Sequence, residues 1–187
     1  AMFLDHLRRQ PFKVAGLRVT LHGSLAFTGV GHATDRAVIL GLAGFRADDY
    51  DAEKAEAELA RIAAEGTVTP DGLPQLAFAP KDHLVFDYGP NLPGHSNGLI
   101  IRGVDAQGDV ITQVTYYSIG GGFVLTAEEL ASGKDQDDGP PVPYPFKSAV
   151  EMLGMAKRSG LSIADMKRAN EHSRMGKGGV DKGLARI

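Results

Sequence analysis

The sequence predicts an α+β fold, in which a mostly antiparallel sheet is covered by helices and followed by a carboxyl-terminal helix pair. Apolar runs at 99–105 and 110–117 flank a polar turn, a pattern typical of adjacent antiparallel strands. Residues 52–64 are rich in Ala, Glu and Lys, with apolar side chains at helical spacing. Two short amphipathic patterns at 148–158 and 162–172 predict the helix pair.

Four elements are predicted in the first half of the chain. A short helix is expected over 3–9, and residues 13–22 carry the alternating apolar side chains of a strand. Apolar side chains recur at helical spacing over 33–45, after a turn that is rich in glycine. The helix at 52–64 is expected to stop at a glycine and to cover one face of the sheet.

Shorter elements are predicted on either side of the hairpin. Strand-like segments bounded by Pro or Gly occupy 76–78 and 83–87, and residues 80–82 between them predict a turn. A helix-like segment follows the hairpin at 126–131.

A change in composition divides the chain. Residues 132–146 are rich in Asp, Pro and Gly and predict a linker between a β domain at 1–131 and a helix pair with a tail at 147–187. Residues 175–187 contain four glycines and little to bury, so this tail is expected to be mobile or to connect to another part of the protein.

Composition excludes several classes of protein. The 187 residues have a formal net charge of -3, and the 20 basic residues are spread along the chain, which argues against a nucleic-acid partner. No apolar run approaches the roughly 20 residues of a membrane helix, and no signal sequence is evident, so no membrane partner and a cytoplasmic location are expected. Cysteine is absent, which excludes disulfides, a thiolate nucleophile and a thiolate-held cluster within this sequence.

A glycine-rich segment joins the first predicted strand to the following helix. Backbone N–H groups and a helix amino terminus in such a turn suit an anion, such as a carboxylate or a phosphate. The candidate contacts are Gly23, Ser24, His32, Thr34 and Asp35. Asp35 could orient His32 or cap the helix, and the alternative is a tight turn in which Asp35 only caps. The glycine spacing matches neither a Walker loop nor a dinucleotide-binding fingerprint.

A second polar set precedes the hairpin. His95, Ser96 and Asn97 offer an imidazole, a hydroxyl and a carboxamide on one loop, groups that can bind the polar atoms of an amino acid. The alternative is an ordinary turn at Asn97-Gly98.

A third segment, 115–124, contains three consecutive glycines at 120–122. Glycines within a strand are tolerated where a ligand or another backbone comes close, and a flexible turn is the equal alternative. His6, His83 and His172 have no partner at metal-ligand spacing, so they are interpreted as surface or packing residues and no metal site is predicted.

Together, and in this order, these three segments resemble the amino-terminal β domain of the bacterial iron–sulfur L-serine dehydratases. The matching residues are Gly23 to Gly29, Gly31 to Ala37, His95 to Gly98 and Thr115 to Val124. The similarity continues through Pro143 to Ala149 and the helix pair with Gly160 to Ile163 and Asn170-Glu171. The predicted fold rests on this resemblance more than on the pattern.

The resemblance implies a cytoplasmic lyase of amino-acid catabolism and gluconeogenesis that converts L-serine to pyruvate and ammonia. A [4Fe-4S] cluster would polarise the serine hydroxyl while a base removes the α-proton. The cluster cysteines are expected in a following α domain or subunit, so this chain is expected to bind no cofactor and to be inactive alone. The family's Ser-Ser-His-Thr motif precedes the region that matches Phe3 to Arg9, and its absence predicts a piece of a longer protein. A homo-oligomer is also expected.

A weaker resemblance extends to the allosteric substrate-binding domain of one type of phosphoglycerate dehydrogenase, which shares the Gly-Ser and Gly-His-x-Thr-Asp pattern and is thought to bind an anionic effector. Val30 stands where many relatives carry a basic residue, which favours an amino-acid carboxylate over a phosphate. Lys13, Arg18 or Arg36 would have to supply the positive charge.

The role of the domain has three alternatives. In the preferred one, the candidate residues contact serine at an interface with the α domain. In the second, the domain is a regulatory module with its own serine or anion site, and in the third it is a structural dimerisation domain. Ligand binding by the isolated chain would distinguish the second from the first.

Overall fold

The computed structural model describes residues 1–133 and 141–185. They belong to two compact units, Ala1–Gly133 and Lys134–Ile187. Residues 134–140, which make up half of the predicted linker, lie outside the described residues. The predicted division into domain, linker and helix pair therefore stays a prediction.

Helices and strands are mixed along the first unit, and the second unit contains helices. The elements in chain order are α1 (Met2–Arg8), β1 (Gly16–Gly23), α2 (Ser24–Thr28), α3 (Thr34–Leu42), α4 (Ala52–Glu65), β2 (Thr67–Val68), β3 (Leu76–Ala77), α5 (Pro80–His83), β4 (Leu84–Asp87), β5 (Asn97–Val104), β6 (Val110–Gly120), β7 (Phe123–Thr126), α6 (Ala127–Ala131), α7 (Ala149–Ser159), α8 (Ile163–Met175) and α9 (Lys177–Leu184). This content confirms the α+β prediction.

A seven-stranded sheet forms the centre of the first unit. Its order is β2-β3-β1-β5-β6-β7, and β4 also pairs with β1. The pairs β2–β3, β1–β5, β5–β6 and β6–β7 are antiparallel, whereas β3 and β4 run parallel to β1. The prediction of a mostly antiparallel sheet is confirmed. The parallel pairs are possible because α2, α3 and α4 lie between β1 and its parallel partners in the sequence and provide the crossover.

The two faces of β1 differ in polarity because successive side chains point to opposite sides of a strand. Leu17, Val19 and Leu21 are fully buried and belong to the hydrophobic core. Helical side chains complete this core, namely Phe3, Leu7, Ala26, Ile39, Leu42 and Ile62. Arg18 and His22 lie on the opposite face, which we call the outer face.

Three short helices were not predicted from the sequence. The helix α2 lies in the segment that was expected to be a glycine-rich turn, and α5 includes the turn expected at 80–82. The helix α9 forms where a tail was expected to be mobile or to connect to another part of the protein. Ala26 of α2 and Val180 of α9 are both buried, so tertiary packing stabilises helices whose sequences are weak helix formers. No helix in the described ranges is long and apolar enough to cross a membrane.

Candidate functional site

Two of the predicted polar segments meet at one end of the sheet, where β1 ends and β5 begins. Gly23 lies directly opposite Asn97 in the strand register. The N–H of Ser24 donates a hydrogen bond of 2.9 Å to the carbonyl of Ser96. We call Gly23, Ser24, His95, Ser96 and Asn97 the strand-end cluster. Residues far apart in the sequence therefore share one edge of the fold.

Gly23 permits this close approach. Its backbone has φ 57° and ψ -134°, a conformation that residues with a side chain rarely adopt. A Cβ atom at this position would overlap the carbonyl oxygen of Ser96 and lie 2.5 Å from Asn91 Oδ1. The absence of a side chain thus lets the loop before β5 lie against the end of β1.

The side chains of His95 and Asn97 are held in defined orientations. His95 Nδ1 accepts the N–H of Asn97 at 3.1 Å, so the ring proton of the neutral imidazole is on Nε2, a donor. Asn97 Nδ2 donates to the carbonyl of Ser118 at 3.2 Å, which leaves Oδ1 as an acceptor. The hydroxyl of Ser24 is exposed and makes no hydrogen bond within the described ranges. Donors and an acceptor are therefore combined at this edge.

The third predicted segment contacts the loop before β5. The Tyr117 hydroxyl donates to the carbonyl of Pro93, and the Tyr117 ring would contact a Cβ at Gly94 or at Gly98. The glycines at 120–122 all have positive φ, and no atom lies within 4 Å of a Cβ built at Gly120 or Gly122. These glycines form the exposed turn between β6 and β7.

His32, Thr34 and Asp35 form a separate group. His32 Nδ1 donates to the carbonyl of Thr28 at 2.9 Å, and the N–H of Thr34 donates to the carbonyl of Gly29 at 2.8 Å. Asp35 is in the first turn of α3 without capping it, because the residue at the N-cap is Ala33. Asp35 Oδ1 is buried without a hydrogen-bond partner. No hydrogen bond between described residues joins this group to the strand-end cluster.

The three basic residues that were expected to supply charge lie elsewhere. Arg36 forms an ion pair with Glu56 of α4. Arg18 is five positions from Gly23 along β1, about 16 Å at the usual rise of a strand. Lys13 precedes the start of β1. None of the three is placed to bind an anion at the strand-end cluster.

Sequence reasoning missed a histidine–carboxylate pair beside the cluster. His22 is 8% exposed, and its Nδ1 lies 3.4 Å from Asp87 Oδ2. Its Nε2 is buried without a hydrogen-bond partner. A carboxylate beside Nδ1 holds the ring in one orientation. The alternation of side chains along β1 places His22 on the outer face, but its partner depends on a parallel pairing with β4 that the sequence does not reveal.

An exposed aromatic pair borders the cluster. Phe27 of α2 and Tyr88, which follows β4, pack edge to face with ring centroids 5.2 Å apart. Their exposed fractions are 65% and 61%, so both rings offer apolar area to solvent.

The described residues do not fit a metal or an iron–sulfur cluster. The chain has no cysteine, and the described ranges contain no group of three or more His, Asp or Glu side chains that could hold a metal ion.

The family model described as serine dehydratase beta chain matches residues 1–129, which include the sheet and the strand-end cluster. The chain belongs to the serine dehydratase beta-chain family. This membership confirms the resemblance found in the sequence.

Curated relatives of the family are similar over nearly the whole chain. The L-serine dehydratase of Streptomyces coelicolor is 36% identical over 188 residues, 100% of this chain and 41% of the relative. L-serine dehydratase TdcG of Escherichia coli is 36% identical, with 99% of this chain and 40% of the relative covered. The L-serine dehydratase of Helicobacter pylori is 35% identical, with coverages of 92% and 38%. The chain thus spans about two fifths of the length of these relatives.

Proposed function

We propose that this chain supplies the strand-end cluster to an L-serine dehydratase, which converts L-serine to pyruvate and ammonia. Membership of the beta-chain family and similarity to proteins named L-serine dehydratase support this proposal. The observation that carries this proposal is the hydrogen bond between Ser24 and Ser96, which brings two polar segments together at one end of the sheet. The cluster contacts serine where this edge meets the rest of the enzyme.

The proposed contacts follow from the hydrogen-bonding capacity of each side chain. Ser24 Oγ and the Nε2 proton of His95 donate to the carboxylate of serine. Asn97 Oδ1 accepts from its ammonium group. Fixing both charged groups orients the hydroxyl and the α-proton that the reaction removes, and this positioning is the contribution of the chain.

The [4Fe-4S] cluster implied by the resemblance is proposed to lie in the part of the enzyme that this chain does not span. The described residues do not fit a metal, and the chain has no cysteine that could hold the cluster. A cytoplasmic location and a homo-oligomer stay predictions.

A kinetic experiment on the complete enzyme tests the proposed contacts. Ser24→Ala removes a hydroxyl that makes no hydrogen bond between described residues, so the variant tests the contact with the substrate. Loss of one charge-assisted hydrogen bond should raise KM for L-serine about tenfold. Ser173→Ala in α8 is the matched control and should leave KM unchanged. An unchanged KM in both variants, and also in Ser96→Ala and Asn97→Ala, would contradict the proposal and favour a structural domain.

Calorimetric titration of this chain with L-serine distinguishes an interface site from a regulatory one. An interface site should give no saturable binding, because it also needs contacts from the rest of the enzyme. Saturable binding of L-serine but not D-serine, lost in His32→Ala, would instead identify a regulatory module.

A further inference from the structure

A cavity lies at the opposite end of β1 from the strand-end cluster. It has a volume of about 260 Å³ and is bounded by the start of β1, by β3, by the end of β5 and by the turn after β5. Arg18 and His83 contribute to its lining. The cavity shares no residue with the strand-end cluster.

Arg18 carries a charge that the described chain does not neutralise. It lies directly opposite Arg102 on β5, and like charges at paired positions of a sheet repel each other. Arg102 is held by two neutral acceptors, Thr20 Oγ1 at 2.9 Å and Gln113 Oε1 at 2.8 Å. No carboxylate among the described residues forms an ion pair with either arginine. A bound anion would relieve this repulsion.

The side chain of Arg18 extends over the turn at the edge of the cavity. A Cβ built at Gly108 would lie 3.4 Å from Arg18 Nη2, and Gly108 has φ +91°. A glycine at this position therefore leaves room for the guanidinium group.

His83 presents a second donor. Its Nδ1 accepts the N–H of Ala79 at 3.1 Å, which places the proton of the neutral ring on Nε2. A guanidinium and an imidazole N–H are thus combined in one cavity, and both bind the oxygens of an anion.

Asp105, the acidic residue of the lining, forms hydrogen bonds within the turn after β5. Asp105 Oδ1 accepts the N–H groups of Gln107 and Asp109, each at 2.9 Å. Gly16 also lines the cavity, and a Cβ there would lie 3.1 Å from the carbonyl oxygen of Ala77, another lining residue. Oδ1 of Asp105 is therefore occupied by backbone donors, and Arg18 is the lining residue with a positive charge and no ion-pair partner among the described residues.

We propose that this cavity is a second binding site, which takes a small molecule through a carboxylate or phosphate group held by Arg18 and His83. Its volume suits a metabolite smaller than a typical drug. This proposal does not depend on the proposed function. Arg18 lies five residues before Gly23 along β1, so the cavity is separate from the strand-end cluster.

Titration followed by amide NMR spectra of this chain tests the site. Sodium phosphate, sodium acetate and L-serine are added separately, at an ionic strength held constant with sodium chloride. Saturable shifts are expected at the amides of Gly16, Ala77 and Gly108. Preference for phosphate would identify a phosphorylated ligand, and preference for acetate or L-serine would identify a carboxylate ligand.

Variants connect these shifts to the proposed contacts. Arg18→Gln should weaken binding at least about tenfold, and Arg18→Lys should weaken it less because it keeps the charge without the planar fork. His83→Gln is a second, independent probe, and the dispersion of each spectrum reports whether the variant is folded. Arg158→Gln in α7 makes the same change of charge and should bind as the unchanged protein does.

Three results would overturn the proposal. One is equal binding by the unchanged protein and by folded Arg18→Gln and His83→Gln. Another is an absence of saturation with all three probes. The last is a set of shifts centred on Ser24 and Ser96, which would assign the anion to the strand-end cluster and leave the cavity without a ligand.

Discussion

Gly23 controls the contact between the end of β1 and the loop before β5. Replacement by Ala forces a side chain into an unfavourable backbone conformation and against the carbonyl of Ser96. We expect Gly23→Ala to lower the free energy of unfolding by about 3 kcal/mol, the range of strained or overpacked substitutions. Urea unfolding monitored by circular dichroism measures this loss.

Gly133 provides a matched control. It has the same φ of +57°, but no atom lies within 4 Å of a Cβ built there. Gly133→Ala should therefore lower the free energy of unfolding by about 1 kcal/mol, the cost of the backbone conformation alone. Equal losses in the two variants would show that the close approach at Gly23 contributes nothing.

Tyr116 should make stability depend on pH in the alkaline range. Burial, with a smaller contribution from the charge of Glu129, raises the pKa of this phenol from 10.0 to about 12. A pKa raised by folding contributes stability that is complete below the unfolded value and is lost as pH rises through the folded value. The free energy of unfolding should thus fall between pH 10 and about pH 12.

Comparison with Tyr116→Phe isolates this effect. The variant cannot ionise at this position, so its free energy of unfolding should fall less steeply over the same pH range. Chemical unfolding at several pH values measures both slopes. Parallel slopes would mean that the phenol of Tyr116 titrates alike in the folded and unfolded states.

The local pattern of residues explains which elements the sequence predicts correctly. The helix expected at 52–64 appears as α4, with Asp51 accepting the N–H of Lys54 at its start and Gly66 at its end. The predicted hairpin appears as β5 and β6. Both elements are determined by residues that are close in the sequence. The spacing of apolar residues predicts α4, and a turn between two apolar runs predicts the hairpin.

Some features that depend on distant contacts were not predicted. The helix α2 forms because Gly23 reverses the chain and Ala26 reaches the core. For the site, residue types alone suggested Ser24 and Asn97, but their proximity follows from the register of β1 with β5. The pairing of His22 with Asp87 depends on a crossover and has no local signal.

Asn170 joins α8 to the Pro-rich segment before α7. This side chain is 6% exposed, and it accepts the N–H of Tyr144 at 2.9 Å and donates to the carbonyl of Tyr144 at 2.8 Å. Asn170→Ala leaves both backbone groups without these partners and should lower the free energy of unfolding of this unit by about 2 kcal/mol. Hydrogen exchange at the Tyr144 amide should accelerate correspondingly.

Ser173→Ala is the control for this prediction. The Ser173 hydroxyl only donates to the carbonyl of Asn170 within α8, from an exposed position. It should change stability by less than about 0.5 kcal/mol. If exchange at Tyr144 is as slow in Asn170→Ala as in the unchanged protein, the two hydrogen bonds do not hold this segment.

This chain alone is not expected to convert L-serine to pyruvate. It spans about two fifths of its relatives and contains no cysteine for an iron–sulfur cluster. We expect no pyruvate from L-serine with this chain alone and no iron bound after reconstitution with iron and sulfide. A coupled pyruvate assay and an iron analysis measure these outcomes.

The complete enzyme, prepared and assayed in parallel, is the positive control for this prediction. Formation of pyruvate at a comparable rate by this chain alone would show that its own residues carry out the chemistry. The histidine–carboxylate pair of His22 and Asp87 would then be the first candidate for the base.

The pairing of β1 with β5 also constrains how the protein is made. Thr20 and Arg102, which are joined by a hydrogen bond, are 82 positions apart. When β1 leaves the ribosome, its long antiparallel partner has not been synthesised, and an unpaired strand edge is a template for aggregation. A nascent chain interrupted before β5 therefore lacks the strand that protects this side of β1, so any shortened version of the gene should retain the coding sequence at least through β5.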